Sequence, residues 1–269
     1  MTDKVLEPKK IAVSKKPSSK SPLRLLPGIM TAAFLTTMKQ PAVASTMATA
    51  VDAVATGDAG LVQSFLLIFI SEIGDKTFFI AALLAAKYGR FISFIGSIGA
   101  LAVMTVISTL LGQIFHAVPS SLTQGVPYDD YLAVAAFTYF GVKTLIDSSK
   151  LEAGDSSGMD EEKAEAEELV EEVSASQKRK DAIALILQTF SLVFAAEIGD
   201  RSFLSTIAMS AALNPYAVAT GAIAAHASAT GIAVLGGSLL SKYLSEKVIG
   251  YIGGTLFLIF AVTTALGVF

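Results

Sequence analysis

Long apolar stretches alternate with short polar seams along this chain. The stretches are Leu61–Ala86, Phe91–Phe115, Tyr131–Ile146, Ile183–Leu213, Tyr216–Leu240 and Val248–Phe269. A spanning helix needs roughly 20 mostly apolar residues. The pattern predicts an all-α, polytopic membrane protein with six transmembrane helices, the third being short. The seams carry helix-ending or charged residues, such as Lys87-Tyr88-Gly89-Arg90, His116 with Pro119, and Asn214-Pro215.

Two segments break the pattern. Residues 1–60 are basic, then apolar, then small (Pro41-Ala42-Val43-Ala44-Ser45). That order belongs to a cleavable targeting signal, with a disordered basic tail as the alternative. Between Asp147 and Asp181 lie twelve acids and five bases, which predicts a solvated helix or a disordered acidic linker. The expected division is therefore residues 1–60, a first three-helix repeat over 61–146, a linker over 147–182, and a second repeat over 183–269.

The second half repeats the first at an offset of 125 residues. Ser71-Glu72-Ile73-Gly74-Asp75-Lys76-Thr77 corresponds to Ala196-Glu197-Ile198-Gly199-Asp200-Arg201-Ser202. The same offset pairs Gln63 with Gln188, Gly96 with Gly221, Thr105 with Thr230 and Gly112 with Gly237. Three spans per repeat is an odd number, so the second repeat enters the membrane from the opposite side. Inverted repeats of this kind place substrate sites near the midplane, where the halves meet. Lys87, Arg90, Lys150, Lys178, Arg179, Lys180, Lys242 and Lys247 collect on one side, so the linker should face the cytosol or stroma.

Each motif places ionisable residues inside an apolar stretch, where a single charge costs at least ~2.5 kcal/mol. Read as continuous helix, Glu72 shares a face with Asp75 and Lys76, and Glu197 with Asp200 and Arg201. Gly74 and Gly199 permit close approach, and Thr77 and Ser202 add hydroxyls. Four carboxylates and two bases leave a surplus of two negative charges, which one divalent cation or two protons would cancel. Glu72, Asp75, Glu197 and Asp200 are thus the candidate metal ligands. Lys76, Thr77, Arg201, Ser202, Gly74, Gly199 and His226 are the supporting residues. His226 could equally be a histidine that simply bonds across helices. Oxygen donors suit Mg²⁺, Ca²⁺ and Mn²⁺. The bland alternative is two ion pairs that only lock the helices together.

Composition sharpens this picture. Charged residues make up 16% of the chain, against about 25% in a soluble domain. With no cysteine and two histidines, thiolate and histidine-rich metal sites are excluded.

The doubled E-x-G-D-[KR]-[TS] pattern, in a six-span chain with an acidic central segment, resembles the Gdt-type family of Golgi, chloroplast and bacterial manganese/calcium transporters. Ala225-His226-Ala227-Ser228-Ala229-Thr230 and Leu244-Ser245-Glu246-Lys247 are similar to the plastid and cyanobacterial branch. The resemblance implies a cation/proton exchanger, not an enzyme, in a thylakoid or envelope membrane or a cyanobacterial membrane. Mn²⁺ or Ca²⁺ would be cargo, with no resident cofactor. The expected partners are divalent ions, protons and the lipid bilayer, with a homo-oligomer left open and no nucleic acid. Two other readings compete. One is a lipid diphosphate phosphatase, which Arg201 alone among the span arginines supports poorly. The other is a non-transporting assembly factor for a photosynthetic complex, docking through the acidic linker.

Overall fold

The computed structural model describes residues 59–118, 126–152, 157–175, 181–240 and 245–267. The expected targeting region, up to residue 58, lies outside them. The described residues form helices α1 (Ala59–Glu72), α2 (Lys76–Tyr88), α3 (Arg90–His116), α4 (Tyr128–Lys150), α5 (Ser157–Ala175), α6 (Ala182–Glu197), α7 (Arg201–Ala212), α8 (Pro215–Leu240) and α9 (Glu246–Ala265), and no strand.

On length and composition, three helices can cross a membrane: α3, the Pro215–Gly236 part of α8, and α9. The pair α6 and α7, bent by 73°, qualifies together as a fourth. α1 is apolar but short, and α4 is not among the candidates. The first and fourth apolar stretches are not continuous helices, contrary to the expectation. Each is interrupted at its acidic motif. At 1.5 Å per residue, the 14 residues of α1 rise about 21 Å, well short of a ~30 Å hydrocarbon core.

The helix ends sort into two groups. At the linker end, the Tyr88 hydroxyl lies 2.9 Å from Ser174 Oγ, Gln188 donates to the Val173 carbonyl at 3.0 Å, and Lys247 donates to the Leu151 carbonyl at 2.7 Å. At the far end, His116 Nδ1 lies 2.9 Å from Asp129 Oδ2 and 3.0 Å from the Ala211 carbonyl oxygen, and Gly60 packs against Ala217. α1 therefore starts at the far end, and α6 at the linker end. Lys87, Arg90, Lys150 and Lys247 all fall at or near the linker end, as the charge pattern predicts.

Two apolar cores stabilise the bundle. One, toward the linker end, joins Phe78, Phe79 and Leu84 of α2 to Leu101, Val193 and Val234. The other, toward the far end, joins Leu67 and Ile68 of α1 to Phe137, Met209, Phe257 and Phe260. Small residues set the helix spacing. Gly96 sits against Thr189 of α6, and Gly221 against Leu61 and Ser64 of α1. These contacts lie between the second span of one half and the first of the other, as the small-residue pattern suggests.

The acidic linker corrects a second expectation. Its described part is an ordered helix, α5, docked on the bundle. Met159, Ala166 and Val170 are buried in the linker-end core, with Leu169 and Val173 packed against it. Spacings of three, four and seven residues put these side chains on one stripe, leaving the acids on the rest of the helix.

Candidate cation site

Both motifs fold in the same way. Gly74 has φ +82° and Gly199 φ +83°. A Cβ is disfavoured in this left-handed region, so glycine ends each first helix cheaply. Asp75 (φ −76°, ψ 166°) and Asp200 (φ −69°, ψ 168°) then take the N-cap position of the second helix. The backbone N–H of Asp75 donates to the Glu72 carbonyl at 3.2 Å, and that of Asp200 to the Glu197 carbonyl at 3.1 Å. Each break thus directs the partly negative C-terminus of one helix and the partly positive N-terminus of the next at the same region.

The breaks sort the acids into two layers. Glu72 and Glu197 end their helices 3% and 1% exposed. Thr77 Oγ1 donates to Glu72 Oε2 at 3.2 Å, and Ser202 Oγ to Glu197 Oε2 at 3.1 Å. The hydroxyls also reach across, so that Ser202 acts on Glu72 and Thr77 on Glu197. Asp75 and Asp200 lie beyond the breaks and line one cavity of about 520 Å³. The cavity extends toward the linker end, past Thr144, Asp147 and Glu246. Lys143 also lines it. The shared helical face expected for Glu72 and Asp75 is therefore absent.

The pairing of the bases is asymmetric. Arg201 reaches from the second motif to the first, with Nη2 3.8 Å from Asp75 Oδ1 and donating to the Ser71 carbonyl at 3.4 Å. Lys76 instead pairs with Glu165 of α5. Asp200 caps its own helix, accepting from the Ser202 backbone N–H at 3.2 Å, whereas Asp75 makes no such side-chain cap. The charges of Asp200, Glu72 and Glu162 all bear on Asp75, opposed by Arg201. Those of Glu72, Asp75 and Asp200 bear on Glu197. The four candidate acids form one electrostatic cluster. Among the described residues, no three His, Asp or Glu side chains converge closely enough to hold a metal ion as they stand.

The two glutamates also have different neighbours. His226 of α8 is 4% exposed, with Nδ1 3.7 Å from Glu72 Oε1, beyond hydrogen-bonding range. The offset of 125 pairs His226 with Leu101. Leu101 and His226 share a cavity of about 10 Å³ with Glu197, Ser202, Thr105 and Ser108. This is about the smallest space that admits one water. Glu197 Oε1 and His226 Nδ1 are buried there without hydrogen-bond partners.

Glu162 was missed by the sequence reading. It stands on α5, in the segment assigned to solvent, yet it lines the large cavity. Burial pushes its carboxyl above the usual range, with Lys76 opposing and Glu165 and Asp200 adding to the rise. Glu165 was missed as the partner of Lys76 for the same reason. The buried stripe of α5 is the signal that could have found both.

The family model for divalent cation/proton antiporters of the GDT1 type matches residues 60–152 and 185–269. The chain is 47% identical over 221 residues to the chloroplastic PAM71-homolog protein of Arabidopsis thaliana, an alignment covering 80% of this chain and 61% of that protein. It is 51% identical over 211 residues to chloroplastic PAM71 of the same plant, covering 76% and 56%. A GDT1-like protein of the cyanobacterium Synechocystis is 41% identical over 204 residues, covering 74% and 93%. The chain thus spans about three fifths of the length of its chloroplast relatives. No solved structure matches.

Proposed function

The chain belongs to the GDT1 family of divalent cation/proton antiporters, and from that premise we propose that it exchanges a divalent cation of the manganese or calcium kind for protons across a membrane. One observation carries the reading. Asp75 and Asp200, one from each motif, line a single cavity that extends to the linker end, backed by the buried Glu72 and Glu197. A cation entering from that end would meet the two aspartates before the two glutamates. Deeper occupation would bring it under the field of the two glutamates. Within the two motifs alone, four carboxylates against Lys76 and Arg201 leave two surplus negative charges, a load that one divalent ion or two protons would balance, with Lys76 shared with Glu165 of α5. The C-terminal ends of α1 and α6, both directed at the breaks, offer carbonyl oxygens, which suit hard cations.

In this reading the two halves are inverted three-span repeats, with α1–α2 and α6–α7 as the broken first span of each. The broken helices support it, since they enter from opposite ends and share one turn geometry. The chloroplast homes named for the relatives support a plastid membrane, and the Lys and Arg residues gathered at the linker end support a stromal linker. The metal is cargo, and no resident cofactor takes part.

The test is Mn²⁺ uptake into proteoliposomes with an imposed pH gradient, with proton movement recorded in parallel. Uptake should require the gradient and compete with Ca²⁺. Glu72→Gln and Asp200→Asn should each reduce it at least tenfold. Wild-type uptake by both variants would remove the site assignment.

A further inference from the structure

The repeat implies that helix contacts should come in matched pairs, and most do. α1 packs on α8 as α6 packs on α3, and α2 packs on α8 as α7 packs on α3. Two pairs do not match. α7 packs along α4, and α1 along α9, where these helices run to the far end. Their counterparts, α2 with α9 and α4 with α6, make at most grazing contact. The bundle is therefore closed at the far end and parted at the linker end, and the large cavity lies in the parted region.

The acidic helix α5 occupies that gap and touches both of its walls. On one wall, Glu246 Oε2 of α9 accepts the backbone N–H groups of Gly158 and Met159, at 2.9 and 3.1 Å. On the other, Met159 seats on Gly74 of the first motif, and Glu165 pairs with Lys76 of α2. Ala166 and Val170 join the core that includes Phe78 and Phe79. Among the described residues the second motif has no comparable cover, because Gly199 has none of them within 4 Å of where a Cβ would stand.

An exchanger built on inverted repeats turns its site by trading the contacts of one half for those of the other. Facing the far end would require α7 to part from α4 and α2 to close on α9. We propose that α5 is a removable wedge: seated, it holds α2 and α9 apart and keeps the acids open to the linker end, and it must lift before the site can turn. This rests on the exchanger reading above. The seat is built for release. Its polar contacts include one ion pair whose side chains are 29% and 49% exposed, two bonds to a single carboxylate, and the part-buried hydrogen bonds of Tyr88 with Ser174 and of Gln188 with the Val173 carbonyl, beside a narrow stripe of apolar side chains.

The absence of cysteine allows a clean test. A Cβ on Gly158 would lie 2.9 Å from Glu246 Cδ, so the Cβ atoms of Gly158→Cys and Glu246→Cys lie within a side chain's length of each other, and a short bis-methanethiosulfonate joins the two thiols through disulfides to give the oxidised form. Mn²⁺ uptake and Mn²⁺ binding are measured on the oxidised and reduced pair in proteoliposomes. Oxidation should cut uptake more than tenfold, leave binding from the linker end intact, and be reversed by dithiothreitol. Uptake in the oxidised form within twofold of the reduced form overturns the wedge, and so does loss of binding on oxidation. Absence of proton-coupled uptake by the unmodified protein instead overturns the exchanger reading itself.

Discussion

Replacing each motif glycine by alanine separates backbone strain from the docking of α5. Both glycines hold nearly the same positive φ, so a Cβ at either position costs about 1–2 kcal/mol of local strain. At Gly199 that is the whole cost, since the space beyond is open. At Gly74 the new Cβ would stand 2.6 Å from Met159 Sδ, so the thioether must move. Met159 is 6% exposed, and full burial of such a side chain is worth about 1.5–3 kcal/mol. Gly74→Ala should therefore destabilise the protein by at least ~1 kcal/mol more than Gly199→Ala, with part of the methionine seat lost. In a Met159→Ala background the excess should vanish, leaving a coupling energy of ~1 kcal/mol or more between positions 74 and 159. Reversible unfolding in mixed micelles, followed by far-ultraviolet circular dichroism, measures all four variants. Equal losses for the two glycines, with additive behaviour alongside Met159→Ala, would refute the contact between α5 and the first motif.

Two further outcomes follow from the same geometry. His226→Leu gives Glu72 the kind of neighbour that Glu197 already has in Leu101. The substitution removes the imidazole that stands 3.7 Å from the buried carboxylate, so Mn²⁺ uptake should fall, while His226→Gln retains most of it; unchanged uptake in His226→Leu counts against any role for the imidazole. The Glu162 carboxyl is raised in the docked state, by burial first. A raised acid binds its proton more tightly when docked, so seating of α5 should strengthen as pH falls through the carboxylate range and weaken as pH rises. Lys76 and Arg201 oppose this dependence, and Glu165 and Asp200 add to it. Distances between spin labels at Arg90→Cys and Glu168→Cys report the docked fraction, and Glu162→Gln should flatten its pH profile; a profile unchanged by that substitution removes Glu162 as the cause.

The repeat and its acids were legible because identical spacing survives in the chain: one offset aligns the motifs, Gly96 with Gly221, and Gly112 with Gly237. The helix breaks were also written there. Glycine followed by aspartate is a stop signal joined to a cap, but the surrounding apolar run outweighed it, and Glu72 and Asp75 were placed on one helical face. The docking of α5 was hidden by its charge. Met159, Ala166, Leu169, Val170 and Val173 form a sparse stripe that a count of acids conceals. The pairing of His226 with Glu72, and the reach of Arg201 to Asp75, join residues more than a hundred positions apart. Nothing local in the chain specifies such contacts.

One difference between the halves bears on the proposed exchange cycle as a whole. Glu72 has an imidazole 3.7 Å from its carboxylate, whereas the position that mirrors this histidine, in the small cavity beside Glu197, is a leucine. The protein is therefore a near-palindrome, and one of its altered letters stands beside its buried acids. Gradients alone decide which way net traffic runs, since no catalyst of exchange can bias an equilibrium. What the altered letter can set is tempo: loading from one compartment and unloading into the other need not run at mirrored speeds.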